Sequence, residues 1–165
     1  MDNIENALQN AQEILTPWTQ RSTHPETKRV DVYLDINDLT SAVRALVNAR
    51  WGYLSAITGL DHPNPESADR GQIEGLYSFS SGAAIVTLRV SMPYESAVIS
   101  TISGLIPSAV LYEWEFREMF GVEVIGLPFT GHLILPDNWP KDEYPLRKSF
   151  KGLSEAQKLS IGGEE

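Results

Sequence analysis

The segment from Leu111 to Leu135 limits the possible fold of this chain more than any other. It combines large apolar side chains with glutamates at positions 113, 115, 118 and 123 and with one arginine, Arg117. A solvent-facing helix carries fewer large apolar groups, and a core helix carries fewer charges. This mixture predicts contact with another surface, either in the same chain or in another one.

The composition fits a single domain and excludes several classes of function. The chain has 165 residues and a formal net charge of −9, which disfavours nucleic acid or anionic lipid as a partner. It has no cysteine, which excludes disulfides, iron–sulfur ligation and thiol chemistry by this chain. Its histidines, His24, His62 and His132, are too scattered to indicate a metal motif. We therefore expect no metal site on this chain.

No window approaches 18 consecutive apolar residues, and the N-terminus does not resemble a signal peptide. These features favour a cytoplasmic location. They are compatible with a position against a membrane complex, held there by other subunits.

Periodicity in the first third of the chain predicts alternating helices and strands. Apolar spacing predicts a helix over residues 3–15 and another over 39–51, capped by Asn37 or Asp38 and ended by Gly52. Alternation predicts strands over 30–36 and 53–60. Residues 17–28 are expected to be a polar linker.

The middle of the chain predicts a hairpin and a further helix. Residues 61–71 have the composition of a loop, and two alternating runs, 73–79 and 84–90, flank a turn at 80–82. Met92-Pro93 is expected to open a helix that extends to Ile106.

These elements predict an α+β fold with two layers, in which a mixed or antiparallel sheet carries helices on one face. Residues 1–127 are expected to form this scaffold. Residues 128–165 are expected to form an extended C-terminal tail, because four prolines interrupt regular hydrogen bonding there. Such a tail more often covers a partner than stabilises itself. The last dozen residues are either a short helix or disordered.

The charged residues of the 111–135 segment allow several interpretations. Glu115 and Glu118 share a helical face and could form an acid–base couple, while Glu113 could pair with Arg117. A salt-bridged helix whose charges find partners on a neighbouring surface is the simpler interpretation. His132 either carries protons or holds a turn.

The sequence predicts the positions of the aromatic residues and the glycine of this region more definitely. Phe116 and Phe120 share a helical face and are expected in the core, and Gly121 is expected to end the helix in a left-handed conformation. Trp114 and Trp139 are candidates for an interface, although a buried structural role is equally compatible with the sequence.

The motif E-W-E-F-R-E-M-F-G, followed by G-H-L-I-L-P-D-N-W and P-L-R-K, resembles the 30 kDa subunit family of respiratory complex I, the NADH–quinone oxidoreductase. This family has relatives in membrane-bound [NiFe] hydrogenases. The likeness extends over about residues 50–150. Trp114, Leu127 and the pair Gly131-His132 depart from the family pattern, and each departure removes a basic or titratable group.

The resemblance implies a non-catalytic structural subunit in the peripheral arm of a complex I-type NADH–quinone oxidoreductase or a related hydrogenase. Iron–sulfur clusters, and a flavin or nickel–iron centre, are then expected on partner subunits and not on this chain. The expected partners are the hydrogenase-large-chain-like subunit and the small cluster-bearing subunit, on the cytoplasmic side of the membrane. The residues implied to contact them are Glu113, Trp114, Glu115, Arg117, Glu118, Met119, Phe120, Gly121, His132, Leu135, Pro136, Asp137, Trp139, Pro145, Leu146, Arg147 and Lys148.

Several alternatives stay open at the level of sequence. The chain could belong to a membrane-bound [NiFe] hydrogenase or a complex like formate hydrogenlyase. It could also be a soluble adaptor, or a free-standing hydrolase that uses Glu115 and Glu118. The electron donor, the acceptor and the pumped ion are determined by other chains.

Overall fold

A computed structural model describes residues 3–162. The first predicted helix is confirmed as α1 (Asn3–Leu15), and Leu8, Ala11 and Leu15 on its inner face are buried. The second is confirmed as α2 (Leu39–Asn48), which follows a 3-10 turn over Ile36–Asp38. Asp38, one of the two predicted capping residues, occupies the N-cap position of α2, but its side chain makes no capping hydrogen bond. The Asp35 side chain instead accepts the Asn37 N–H and caps the 3-10 turn. The helix ends at Asn48 and not at Gly52 as predicted, because Arg50 already adopts the left-handed conformation.

Five strands form the main sheet, and its spatial order is β1-β2-β5-β4-β3. β2 and β5 are parallel and every other neighbouring pair is antiparallel. The sheet is therefore mixed, and α2, β3 and β4 make the crossover between its parallel strands. The strands are β1 (Arg21–Glu26), β2 (Arg29–Tyr33), β3 (Tyr53–Asn64), β4 (Ser67–Ser81) and β5 (Ala84–Pro93).

Two predicted loops are strands in the structure. The polar linker at 17–28 contains β1, which pairs with β2 along the edge of the sheet. Almost all of β1 is exposed, so it carries no apolar alternation that a sequence could reveal. The loop predicted at 61–71 instead continues β3 and β4, since turn-forming residues are tolerated near the end of a long hairpin.

The helix predicted from Met92 to Ile106 was also wrong. β5 continues to Pro93, and a 3-10 turn leads into the short strand β6 (Val98–Ser100). β6 pairs in parallel with β7 (Glu123–Ile125). Serine and threonine side chains compete for backbone hydrogen bonds, and β-branched residues favour strands, so Val98–Thr101 is better suited to this pairing than to a helix.

The helices cover one face of the sheet, as predicted for the α+β class. Val30 and Val32 of β2 lie beside Val86 and Leu88 of β5 in register, and all four are buried. α1 packs on these two strands, and α2 packs against α1. The third long helix, α3 (Ala109–Phe120), crosses the same face at β3. A Cβ atom added at Gly59 would lie 2.7 Å from the Phe116 ring, so this glycine permits the close approach of α3.

The core expectation for Phe116 and Phe120 is confirmed, because both side chains are buried and their ring centroids lie 5.6 Å apart. Beyond β7 the chain is irregular until α4 (Glu155–Gly162). The short helix that the sequence left open is therefore present over 155–162. The final three residues, at 163–165, lie outside the described part of the chain.

Candidate functional site

The Glu118 carboxylate organises the first part of the C-terminal segment. Its Oε1 atom accepts hydrogen bonds from the backbone N–H groups of Leu133 at 2.9 Å and Leu135 at 3.2 Å, and Oε2 accepts that of Ile134 at 2.9 Å. The Nδ1 atom of His132 lies 2.8 Å from Oε1. The Glu118 side chain is only 2% exposed, so these donors replace the water that it loses on folding.

Two neighbouring residues on α3 hold the loop before this point. Arg117 donates to the carbonyl oxygens of Phe129 at 2.8 Å and Gly131 at 2.6 Å, and Trp114 Nε1 donates to Gly131 at 3.1 Å. The Trp114 and Phe129 rings stack with centroids 4.9 Å apart and an interplanar angle of 4°. This helix therefore fixes residues 129–135 in one conformation. We call the exposed apolar side chains there, Phe129, Leu133 and Ile134, together with Leu111 on α3, the apolar ridge.

The P-L-R-K motif caps the C-terminal end of α3. The Leu146 N–H donates to the Met119 carbonyl at 3.2 Å, and Arg147 Nε donates to the Phe120 carbonyl at 2.7 Å. Gly121 is left-handed, with φ 68°, and the Tyr144 ring covers it. Carbonyl groups that a helix end leaves unpaired are thus satisfied by a segment more than twenty residues later in the sequence.

A second contact holds the same motif against the end of β3. The Asp61 carboxylate accepts the backbone N–H of Lys148 at 2.7 Å and also the hydroxyl of Tyr94. Burial and this hydrogen bond to the carboxylate together raise the pKa of Tyr94 to about 12. The Arg147 guanidinium lies between two rings, 4.9 Å from the centroid of Tyr94 and 4.7 Å from that of Tyr144.

Glu113 is fully buried and faces the opposite direction from the tail. Its Oε1 accepts the Ile102 N–H at 2.7 Å, and Oε2 lies 2.5 Å from the Thr101 hydroxyl. Desolvation raises the pKa of Glu113, because the hydrogen bonds from Thr101 and Ile102 only partly offset the loss of water. It does not pair with Arg117, as the sequence allowed, but fixes the turn that connects β6 to α3.

The geometry does not support an acid–base couple formed by Glu115 and Glu118. Both Glu118 oxygens already accept hydrogen bonds from the tail, whereas Glu115 is exposed and forms no hydrogen bond within residues 3–162. A general acid or base needs a proton within reach of a bound substrate. The Glu118 side chain is buried and holds the tail through both oxygens, so the two glutamates do not face a common substrate site.

The two anchored parts of the tail border an open surface pocket of about 520 Å³. Its lining includes Glu118, His132, Leu135, Trp139 and Tyr144. Trp139 Nε1 donates to the Glu143 carbonyl at 2.7 Å, and its ring lies 6.1 Å from that of Phe150. Trp139 is therefore engaged within the tail, while Pro136 and Asp137 are exposed at its surface.

A second group of charges on the uncovered face of the sheet was missed at the level of sequence. Arg89 donates to Asp31 at 2.7 Å and to both Glu74 oxygens at 2.7 and 2.8 Å, and His62 lies 2.9 Å from Glu74. Burial opposes ionisation of Glu74, but hydrogen bonds from Arg89 and His62 outweigh it and lower its pKa. The sequence did contain one sign of this cluster. Asp31 lies between Val30 and Val32 in a strand, so its side chain points to the face opposite the two valines.

Among residues 3–162, no three or more histidine, aspartate or glutamate side chains are grouped as a metal site requires. In the same range no helix is both long and apolar enough to cross a membrane.

The fold and these contacts define a class of α+β domain in which a mixed sheet is covered on one face and the C-terminal segment is anchored to the last core helix. The family model for the respiratory-chain NADH dehydrogenase 30 kDa subunit matches residues 32–156. The chain belongs to this family, as the motifs around Glu118 and Arg147 predicted.

A curated relative agrees with this assignment, and two solved structures share the fold. Formate hydrogenlyase subunit 5 of Escherichia coli K12 is 32% identical over 123 residues, which are 73% of this chain but 21% of that protein. A chain of the membrane-bound sulfane sulfur reductase, an archaeal respiratory complex, superimposes with a TM-score of 0.70 over 95% of this chain and 91% of its own, at 16% identity. A trypsin-resistant fragment of Nqo5 gives 0.54 over 76% of this chain and 98% of its own, at 21% identity.

Proposed function

We propose that this chain is a non-catalytic structural subunit in the peripheral arm of a complex I-type oxidoreductase or a related membrane-bound hydrogenase, on the cytoplasmic side. The main observation that supports the proposal is the way in which Glu118 holds the C-terminal tail. A buried carboxylate directs its hydrogen-bonding capacity to three consecutive backbone N–H groups and thereby presents Leu133 and Ile134 to the outside.

The ordering of the ridge supports a docking role. Ile134 is 60% exposed and Leu111 is also 60% exposed, although both lie on rigid, hydrogen-bonded elements. Binding by an ordered surface avoids the entropic cost of fixing a loop at the moment of association. Exposed apolar side chains that a buried charge holds in place are typical of an interface.

The relative's length indicates which partner docks here. About four fifths of formate hydrogenlyase subunit 5 lies outside the region that this chain matches. In that protein the further region is covalently joined to the matched one. The hydrogenase-large-chain-like subunit expected from the sequence is our proposed partner, and we infer that it resembles the rest of this relative. The small cluster-bearing subunit is the second expected partner.

The same relative favours a hydrogenase-type assembly as the particular complex. In the purified assembly, bound nickel and hydrogen evolution or uptake would identify this branch. NADH-dependent quinone reduction without nickel would identify the complex I branch. In either case clusters and other cofactors are proposed to reside on the partners.

Co-purification tests the docking role. The full chain, tagged and expressed in its source cell, is compared with Ile134→Asp and with Leu159→Asp. Leu159 is 76% exposed on α4, outside the apolar ridge, and is the matched control. We expect Ile134→Asp to lose the partner and Leu159→Asp to retain it, with unchanged thermal unfolding of both isolated chains. Retention of the partner by both variants would contradict this interface.

A further inference from the structure

A second surface lies at the opposite end of α3 from the tail. An apolar groove of about 470 Å³ opens between the end of α2, the start of β3 and the turn that precedes α3. Its floor includes the buried side chains of Trp51, Leu54 and Phe79. Tyr53 and Val47 form part of its rim and are 65% and 39% exposed.

One cation lies at the edge of this groove. Arg50 is the only charged residue among those that line it, and within residues 3–162 its guanidinium takes part in no hydrogen bond or ion pair. Its positive charge is thus available to an anionic group outside the described residues. The groove therefore combines apolar walls with a single unmatched cation.

The backbone places Arg50 at a position where an arginine is unfavourable. Its φ is 54°, in the left-handed region, and the Trp51 N–H donates to the Leu46 carbonyl at 2.9 Å to close the end of α2. Glycine is the residue that normally occupies this site, because it adopts such angles without strain. The strain carries no compensating contact of the side chain within the described residues. Strained positions of this kind occur at functional surfaces.

We propose that this groove binds a segment of a partner subunit in which apolar side chains stand next to an aspartate or glutamate. The apolar side chains would enter between Tyr53, Val47 and Ile106, and the carboxylate would meet Arg50. A second copy of this chain is a poorer fit, because two molecules that each carry −9 repel one another. The inference goes beyond the apolar ridge but rests on the proposed function in one respect, namely that the chain belongs to an assembly.

Site-specific photocrosslinking in the intact assembly tests the inference. The photoreactive residue p-benzoylphenylalanine replaces Tyr53 in the groove or, in a separate variant, Ile134 on the apolar ridge. We expect Tyr53 to crosslink to a partner peptide that has apolar residues within a few positions of an aspartate or glutamate. Crosslinking at Ile134 without any at Tyr53 would overturn this inference alone, and absence of both would overturn the proposed function as well.

Arg50 variants then test the charge. We combine Arg50→Gly, Arg50→Lys and Arg50→Glu with the photoreactive residue at position 53. Arg50→Gly should leave thermal unfolding unchanged or raise it, because glycine relieves the left-handed strain, yet should reduce the crosslink yield about two- to fivefold. Arg50→Lys should retain most of the yield and Arg50→Glu should lose more than Arg50→Gly. Equal yields from the lysine and glutamate variants, a crosslinked peptide without an acid, or a crosslink to a second copy would each overturn the proposal.

Discussion

The backbone N–H of Lys148 donates to the Asp61 carboxylate at 2.7 Å, although the two residues are 87 positions apart. Asp61 is almost fully buried at the end of β3, and the hydroxyl of Tyr94 shares it. One carboxylate thus joins the sheet, the turn after β5 and the tail.

We expect Asp61→Ala to release the tail and to lower the free energy of unfolding by about 1–3 kcal/mol, because it leaves two donors without their acceptor. Urea denaturation measures the loss, and limited proteolysis should show earlier cleavage within residues 141–150. Asp137→Ala is the control, since Asp137 is exposed on the same tail. Equal resistance of the Asp61 variant and the wild type would show that the tail is held without this contact.

Glu118 anchors the first half of the tail as Asp61 anchors the second half, so its loss should release residues 132–135. In Glu118→Ala the N–H groups of Leu133, Ile134 and Leu135 lose their acceptor, and we expect their hydrogen exchange to accelerate at least about tenfold. Assembly with the partner should weaken, whereas the sheet amides should stay protected and the isolated domain should stay folded. Glu115→Ala serves as the control because that residue is exposed one position before the Phe116 core contact. A global loss of protection in the Glu118 variant would instead make the residue part of the folding core.

Local patterns were sufficient to predict the helices α1 and α2, the hairpin of β4 and β5, and the core position of Phe116. Each of these depends on apolar periodicity within about a dozen residues. The edge strand β1 lacks that signal, since its side chains are solvated on both faces. The contacts of Glu118 with residues 132–135 and of Asp61 with Lys148 depend on loops that return to a distant element, and no periodicity encodes such a return. The family motifs include Glu118, residues 132–135 and Lys148, but they did not indicate which residues these would contact.

Gly121 and Gly82 have similar backbone angles, and comparing them separates the cost of backbone strain from the cost of steric overlap. Gly121 has φ 68° and Gly82 has φ 58°, but an added Cβ atom would overlap the Tyr144 ring at Gly121 and would meet nothing within 4 Å at Gly82. We expect Gly82→Ala to cost about 1 kcal/mol from backbone strain alone. Gly121→Ala should cost a further ~1–3 kcal/mol, because the ring must move. Chemical denaturation measures the unfolding free energy of both variants. Equal losses would show that the Tyr144 ring moves aside at no cost.

Glu113 should make stability depend on pH in a direction opposite to that of most carboxylates. Because burial raises its pKa above the ordinary value of 4.5, the folded chain holds this proton more tightly than the unfolded chain. Its contribution to stability is fully present below that ordinary value and is lost as the pH rises through the folded pKa. In Glu113→Gln the side chain is neutral at every pH.

The difference in unfolding free energy, wild type minus Glu113→Gln, should therefore fall as the pH rises above 4.5, with a slope of at most about 1.4 kcal/mol per pH unit. Denaturation curves of both proteins between acid and neutral pH measure it, because all other groups cancel in the difference. Glu123→Gln, at an exposed position of β7, controls for the chemical change from glutamate to glutamine. A difference that increases with pH would show that Glu113 is stabilised as the carboxylate.

For the charged cluster on the uncovered face of the sheet, we expect stability to depend on pH in the opposite direction. Arg89 contacts Asp31 and Glu74, whose side chains are 3% and 6% exposed. In Arg89→Met the buried Glu74 carboxylate keeps only His62 as a partner, and Asp31 keeps only Arg29. We expect a loss of about 3–5 kcal/mol at neutral pH. Arg29→Met is the control, because Arg29 is 31% exposed and meets only Asp31, and it should cost about 1 kcal/mol or less.

The pH dependence separates this charge effect from a loss of packing. Because Arg89 and His62 lower the pKa of Glu74, the stabilisation is present above the ordinary value of 4.5 and is lost as the pH falls through the folded pKa. The deficit of Arg89→Met relative to wild type should therefore shrink on acidification, since protonated Glu74 no longer needs a cation. A deficit that stays constant from neutral to acid pH would assign the role of Arg89 to the packing of its aliphatic stem.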